Sequence, residues 1–379
     1  MACVEQRPLP HATTSLDVLV TAPADLGSEA TRISGIKQAS LQVTAVDELG
    51  QVDSSFSAEL DVYAHFLGSL TPERGVGTPA HIAVTSGMGT GLVDLPLAYG
   101  ETYLWLEDAR RQGATFATGV SPTLWYREPF LVDISRPADE TKMPEALTHS
   151  PLEGKQVRIA GSEYGAAGHV VVTAVYAQGF TVSDVDCTTR PCRAKPYAHV
   201  FVFSFGSPKD GPYKIEMGQT LSAVSGGVGE FNGFTELNFP QALLARVDAS
   251  NPDSAPAAAD EELLPAPVEI DKKWLAKGAE LDDMINLERV ESGLVSASSA
   301  KVCPLDGDFT KYSQWKLDIG NGCGQALNVI TEGVVSSFDP KAQIGKTIPR
   351  VVGTLRAVNT GTFNVWIVYP RRLSDLTLE

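Results

Sequence analysis

Between Ala58 and Phe66, Leu60, Val62, Ala64 and Phe66 fall on one side of an extended chain, with Glu59, Asp61, Tyr63 and His65 on the other. Side chains alternate across a strand with a period of two, so this stretch requires a strand with one face on a core and one toward water. The same period returns at short intervals. Leu41, Val43 and Ala45 share a face, and Tyr103 to Leu106 and Trp125 to Ile134 supply further strands. Turn residues at Asp47 to Gly50 and at Tyr99-Gly100 separate them. With no helical period between these segments, residues 16–137 are expected to form a β-sandwich.

The chain has 379 residues, more than one core ordinarily organises, and two proline-rich breaks divide it. Residues 138–152 carry prolines and no period, and read as a linker. Residues 248–286 read as a second linker ending in a short helix over Lys272 to Asn286, where Trp274, Leu275, Leu281 and Ile285 approximate one face. The expected order is a flexible tether at 1–15, the sandwich at 16–137, a small barrel at 153–247 and another at 287–379. The fold class is mainly β with little helix.

The two barrels are read from a succession of motifs. The first runs Lys155 to Ala160, His169 to Tyr176, Gly179 to Asp184, His199 to Ser204 and Met217 to Val224, then a hairpin over Gly229 to Leu237 turned by Asn232-Gly233. The second runs Leu294 to Ala297, Gln314 to Ile319, Leu327 to Ile330, Val351 to Leu355 and Phe363 to Tyr369. This succession resembles the OB-fold domains that accompany secreted bacterial nucleases and also occur alone in surface proteins. The segment at 16–137 resembles a bacterial immunoglobulin-like domain. In such nucleases the hydrolytic centre belongs to a separate domain, so the resemblance implies binding rather than catalysis. OB-folds bind oligonucleotides or oligosaccharides on a curved strand face. The aromatics that could stack on such a ligand are Phe201, Phe203, Tyr213 and Phe234 in the first barrel, and Trp315 and Trp366 in the second.

Cysteine spacing adds a compartment. Cys187 and Cys192 bracket one short segment, and Cys303 and Cys323 bracket a Gly-rich stretch. A zinc site would need a second ligand pair; His199 and Cys303 are the nearest candidates and form none, so two disulfides are expected. Loop closure assigns them ~2 and ~3 kcal/mol, respectively. Such pairs belong to an oxidising compartment. Cys3 stands alone before a polar lead with Pro8, Pro10, Thr13, Thr14 and Ser15. This start resembles a bacterial lipoprotein from which the export signal has been removed. The resemblance implies acyl chains on Cys3 and a membrane-anchored, extracytoplasmic location, at the outer membrane or cell surface of a Gram-negative bacterium. An incidental surface thiol is the competing reading. No apolar stretch reaches the ~18 residues of a membrane helix.

The motifs of chemistry are sparse. Thirty Lys and Arg against 46 Asp and Glu give a net charge of -16, which argues against a phosphate-backbone partner. Ser298-Ser-Ala-Lys301 has SxxK spacing but sits in a strand-like segment, where that motif does not work. The histidines are scattered singly, so no metal or other cofactor is expected. Asp306-Gly307-Asp308 is a weak calcium candidate lacking the further ligands of a binding loop. The expectation is a non-enzymatic extracytoplasmic lipoprotein serving as a binding, adhesion or assembly scaffold. It would have a protein or glycan partner and no small-molecule substrate. The runner-up is a glycan- or nucleic-acid-binding accessory module of a secreted enzyme system.

Overall fold

The computed structural model describes residues 12–66, 80–110, 117–145, 148–165, 168–360 and 363–378. Cys3 and most of its tether lie outside the described residues. The protein is mainly β, with three short α-helices among the described residues. It divides into two compact units, Met1–Glu128 and Pro129–Glu379.

The first unit contains β1 (Ser15–Ala22), β2 (Gln38–Val46), β3 (Ala58–Phe66), β4 (Ala80–Thr85), β5 (Met88–Asp94), β6 (Glu101–Asp108), β7 (Thr118–Val120) and β8 (Leu124–Trp125). Their order is β1-β2-β5-β4-β3-β6-β7, with β8 on β6. Taken as β1-β2-β5-β4 and β3-β6-β7, these are the two layers of a constant-type immunoglobulin sandwich, here bridged by the β3–β4 pairing. Leu41, Leu60, Ile82, Leu104, Leu106 and Leu124 are buried between the layers as alternation requires, whereas Tyr63 and His65, expected toward water, are also buried, His65 stacking on Tyr103. No disulfide crosses this core, and aliphatic packing replaces it. The strand expected from Trp125 to Ile134 ends at Trp125. From Pro129 onward its remainder lies in the second unit, where Leu131–Ser135 forms the short helix α1.

In the second unit the first barrel is built from β9 (Gln156–Ala160), β10 (Gly168–Tyr176), β11 (Gly179–Asp186), β12 (Arg193–Phe203), the small hairpin β13 (Lys209–Asp210) and β14 (Tyr213–Lys214), β15 (Leu221–Glu230) and β16 (Thr235–Leu244). The sheet order is β10-β11-β12-β16-β15-β9, with β12 and β16 parallel. Backbone bonds between Val172 and both Gly218 and Gln219 bring β10 back to the start of β15 and close the ring. The leading strand is therefore split: β9 pairs with β15 and β10 with β11. The β15–β16 hairpin turns at Asn232-Gly233, both with positive φ, as the sequence leads one to expect.

The second barrel follows the same route with β18 (Leu294–Val302), β19 (Gln314–Asp318), β20 (Leu327–Ile330), β21 (Thr347–Thr360) and β22 (Phe363–Tyr369), flanked by β17 (Val268–Glu269) and β23 (Leu376–Thr377). Here β20 and β22 are parallel and β18 pairs with both β19 and β21, so an unbroken leading strand closes the ring. Val295, Val302, Leu317, Leu327, Val329 and Val351 fill it.

Both intervening segments are packed rather than free. In 138–152, Met143, Thr148, Ser150 and Leu152 are buried. In 248–286, Leu263 and Leu264 pack on the Cys187–Cys192 bridge, and Ala266 N–H donates to the Cys192 carbonyl. The single helix expected over Lys272 to Asn286 is instead a 3₁₀ turn at Lys272–Leu275 followed by α2 (Leu281–Arg289). Gly278, at φ 71°, lies between them and is incompatible with a continuous helix.

Candidate ligand groove and the junction behind it

The two barrels meet along β10, β12 and β16 of the first and β21 and β22 of the second. Arg356, mid-way along β21, puts its guanidinium carbon 4.3 Å from the ring centre of Phe201 and 4.5 Å from those of Tyr176 and Tyr369. Phe234 lies 5.7 Å away. Rings with negative faces hold a cation whose Nε and Nη2 are buried without a hydrogen-bond partner. Tyr176 hydroxyl shares a 2.6 Å hydrogen bond with Thr354 Oγ1 and donates to the Tyr369 carbonyl at 3.2 Å. Arg371, paired with Asp375, donates from Nη1 to the Thr173 carbonyl of the first barrel at 3.1 Å.

A second contact joins the barrels through acids. Glu230 at the end of β15 accepts from Ser150 N–H at 2.7 Å and Thr235 Oγ1 at 2.9 Å, while Glu291 accepts from Thr235 N–H at 3.0 Å. Glu288 on α2 completes the group. Burial pushes the Glu230 carboxyl up from its ordinary range. Burial first and the neighbouring Glu230 next push Glu288 up to about 8, and burial with both neighbours raises Glu291 strongly. At neutral pH Glu288 is held as an acid, which can donate as well as accept.

On the second barrel a cleft of about 330 Å³ is lined by Leu275, Asp308, Lys316, Cys323 to Ala326, Asn328 and Asn364 to Trp366, the last of which also packs against the Phe201, Phe234 and Ala357 cluster of the junction. It lies over β19 and β20, bounded by α3 (Gly307–Tyr312) and the disulfide turn, with β22 supplying the indole. Asn328 is locked, accepting from Gln314 Nε2 at 2.8 Å and donating to the Trp366 carbonyl at 3.3 Å. Gln325 Oε1 accepts from Lys277 N–H. One half-buried indole among amides and an ion pair is a lining suited to a polar ring with hydroxyl groups: a flat apolar face for stacking and fixed polar groups around it.

Of the aromatics proposed from sequence, Trp366 alone lines this groove. Trp315 is a core residue, 1 % exposed, with its Nε1 donating to Thr331 Oγ1 at 3.3 Å, so it does not reach a ligand face. Phe201 and Phe234 are buried against Arg356 and Ala357, which corrects their reading as stacking platforms. Phe203 is half-buried at the edge of that cluster, and Tyr213 lies beneath Arg246 at 5.5 Å. Sequence reasoning missed Phe205 and Phe239, 56 % and 77 % exposed and 5.2 Å apart.

The remaining sites resolve locally. Asp306 and Asp308 both receive Lys316 Nζ, at 2.5 and 2.8 Å, so an ammonium already stands where the calcium reading put a cation. Hydrogen bonding from Lys316 is the main reason the Asp306 carboxyl is held below its ordinary range. Disulfides join Cys187 to Cys192 and Cys303 to Cys323. His199, the nearest zinc candidate, is buried, with Nδ1 2.7 Å from Ser183 Oγ, and burial lowers its pKa to about 4. Ser298 and Lys301 sit on β18, a strand.

No family model matches the chain, and no curated protein matches it. Among solved structures, dimeric latent PorU from Porphyromonas gingivalis aligns over 94 % of this chain and 34 % of its own, at 10 % identity and a TM-score of 0.23. The chain thus spans about a third of that protein's length, and at this score the likeness carries no argument.

Proposed function

We propose that this is a non-catalytic extracytoplasmic binding protein, held to the membrane through a lipid on Cys3, whose paired barrels present the Trp366 groove to a glycan. The observation that carries the reading is the composition of that groove. An indole wall, locked amides and an internally neutralised Lys316 suit an uncharged hydroxylated ring better than a polyanion. The net charge of -16 points the same way, because phosphate binding rests on an excess of cations.

Titration of the intact chain against a panel of neutral and amino-sugar oligosaccharides tests this, with single-stranded DNA and RNA at equal salt as comparators. Saturable glycan binding, weakened about tenfold or more by Trp366→Ala, is expected. Oligonucleotide binding lost in the same variant would transfer the groove to a nucleic-acid accessory role. Anchoring is read separately: Cys3→Ser in the natural host moves the protein from the membrane to the soluble fraction.

A further inference from the structure

The first barrel has its own cleft, of about 310 Å³, lined by Phe130, Val132, Glu163, Tyr164, Asp184, Val185, Asp186 and Lys195. Its wall is aromatic: the Phe130 and Tyr164 rings are 4.8 Å apart and tilted by 56°. Tyr164 is fixed in place, its hydroxyl oxygen accepting from Leu131 N–H at 3.0 Å.

Asp184 sits where β11 and β12 fall out of register. Pairing runs from Ser183–His199 directly to Val185–Ala194, so Asp184 is skipped and the β12 segment opposite bulges, with Tyr197 at φ 62°. A bulge re-aims the side chain it frees, and bulges are common beside binding sites. Among the described residues no hydrogen bond reaches the Asp184 carboxylate, although it is half-buried. A carboxylate placed in a cavity with nothing to accept from is destabilised until a donor arrives.

We infer that this cleft receives an arginine side chain from a partner polypeptide, the guanidinium stacking on the Phe130–Tyr164 wall and donating to Asp184. The inference is independent of the groove on the second barrel. Arginine fits the lining in both respects, since its planar cation stacks on aromatic faces and its fork of donors matches a carboxylate. The charged groups facing Asp184 are Asp186 on the same strand, Glu163 on the neighbouring 3₁₀ turn and Lys195 on β12. Three acids against one base leave the cavity two cations short when all are ionised. Among the described residues no ion pair neutralises Asp184, and Lys195 acts on it only as a nearby charge.

Protonation follows from the same geometry. Burial, opposed by Lys195 and aided by Asp186, raises Asp184 to about 6. An incoming cation binds the ionised form, so affinity is low below this value and rises as the proton leaves.

The test titrates the intact chain with a Gly-Arg-Gly peptide, its citrulline counterpart and free argininamide. The arginine peptide is expected to bind saturably, and the citrulline peptide about tenfold more weakly, because it keeps the shape and loses the charge. Argininamide binding as tightly as the peptide would reassign the cleft to free small cations and overturn the polypeptide assignment. Asp184→Asn should cost about tenfold and abolish the rise in affinity between pH 5 and 7. Lys195→Ala should bind more tightly, a gain that misfolding cannot imitate. Equal binding of the citrulline peptide, an unaffected Asp184→Asn, unchanged or weaker binding in Lys195→Ala, or no saturation would each overturn the inference.

Discussion

The two barrels follow one chain path and are stabilised differently. In each, a meander of three strands is joined in parallel to the last strand of a hairpin. In the second barrel an unbroken β18 pairs on both sides, and a fully buried Trp315 stands over an aliphatic core. In the first barrel the leading strand is divided between β9 and β10, and several of its largest aromatics point outward to grip Arg356. The second barrel is thus closed by its own core, whereas the first spends aromatic surface on its neighbour. What looks like a tandem repeat is a frame and a part docked to it.

The comparison can be broken most decisively at Trp315. Trp315→Ala should destabilise the second barrel by about 3–5 kcal/mol. Because the first barrel leans on the second, a single cooperative transition shifted to lower denaturant is expected by circular dichroism. A surviving first-barrel transition at the original midpoint would show two independent modules.

The acid contact sharpens the picture by pH. Glu288 has a pKa raised above its unfolded value, so its contribution is fully present below the unfolded value near 4.5 and is lost as pH rises through about 8. Between those two values a carboxyl kept protonated only in the fold should cost about 1.4 kcal/mol per pH unit, and above the folded value its effect is constant. Melting temperature should therefore fall as pH rises from about 5 to about 8 and level off above, and Glu288→Gln should flatten the fall. An unaltered profile in that variant would remove the junction acids from the account.

The smallest effect is expected at Arg356. Replacement by Met keeps the volume and removes the cation, and should cost about 1 kcal/mol, since the lost ring contacts are partly offset by relief of its buried unpaired donors. The loss should appear as faster hydrogen exchange in β10 and β21, with the interior strands of the second barrel unchanged. Equal acceleration throughout would mean that the junction has no separate stability.

The sequence made the strands legible because alternation is a local property: Leu60 and Val62 declare their face without reference to anything distant. The two disulfides were legible through spacing. The groove was not, since Lys316, Gln325, Asn328 and Trp366 come from separate segments and none is unusual where it stands. Trp315 and Trp366 illustrate the limit. Both lie in strands, and only the closed barrel decides that one is sealed and the other faces the cleft. Arg356 did leave a trace, as a lone charge within Val351-Val-Gly-Thr-Leu-Arg-Ala-Val358, a signal that an otherwise apolar strand meets a particular partner. The packed roles of 138–152 and 248–286 were hidden because their buried contacts follow no period.

Closure of the second barrel also sets an order of events in time. β18 cannot complete its ladder until β21, whose Thr354 sits opposite Leu294, has been synthesised. Tyr176 waits longer still, because one of its acceptors is the carbonyl of Tyr369 on β22. Distant pairings of this kind form slowly. As the chain emerges from the ribosome, the sandwich and the ring of the first barrel can form early, while the second barrel and the Tyr176 contacts wait for the β21–β22 hairpin.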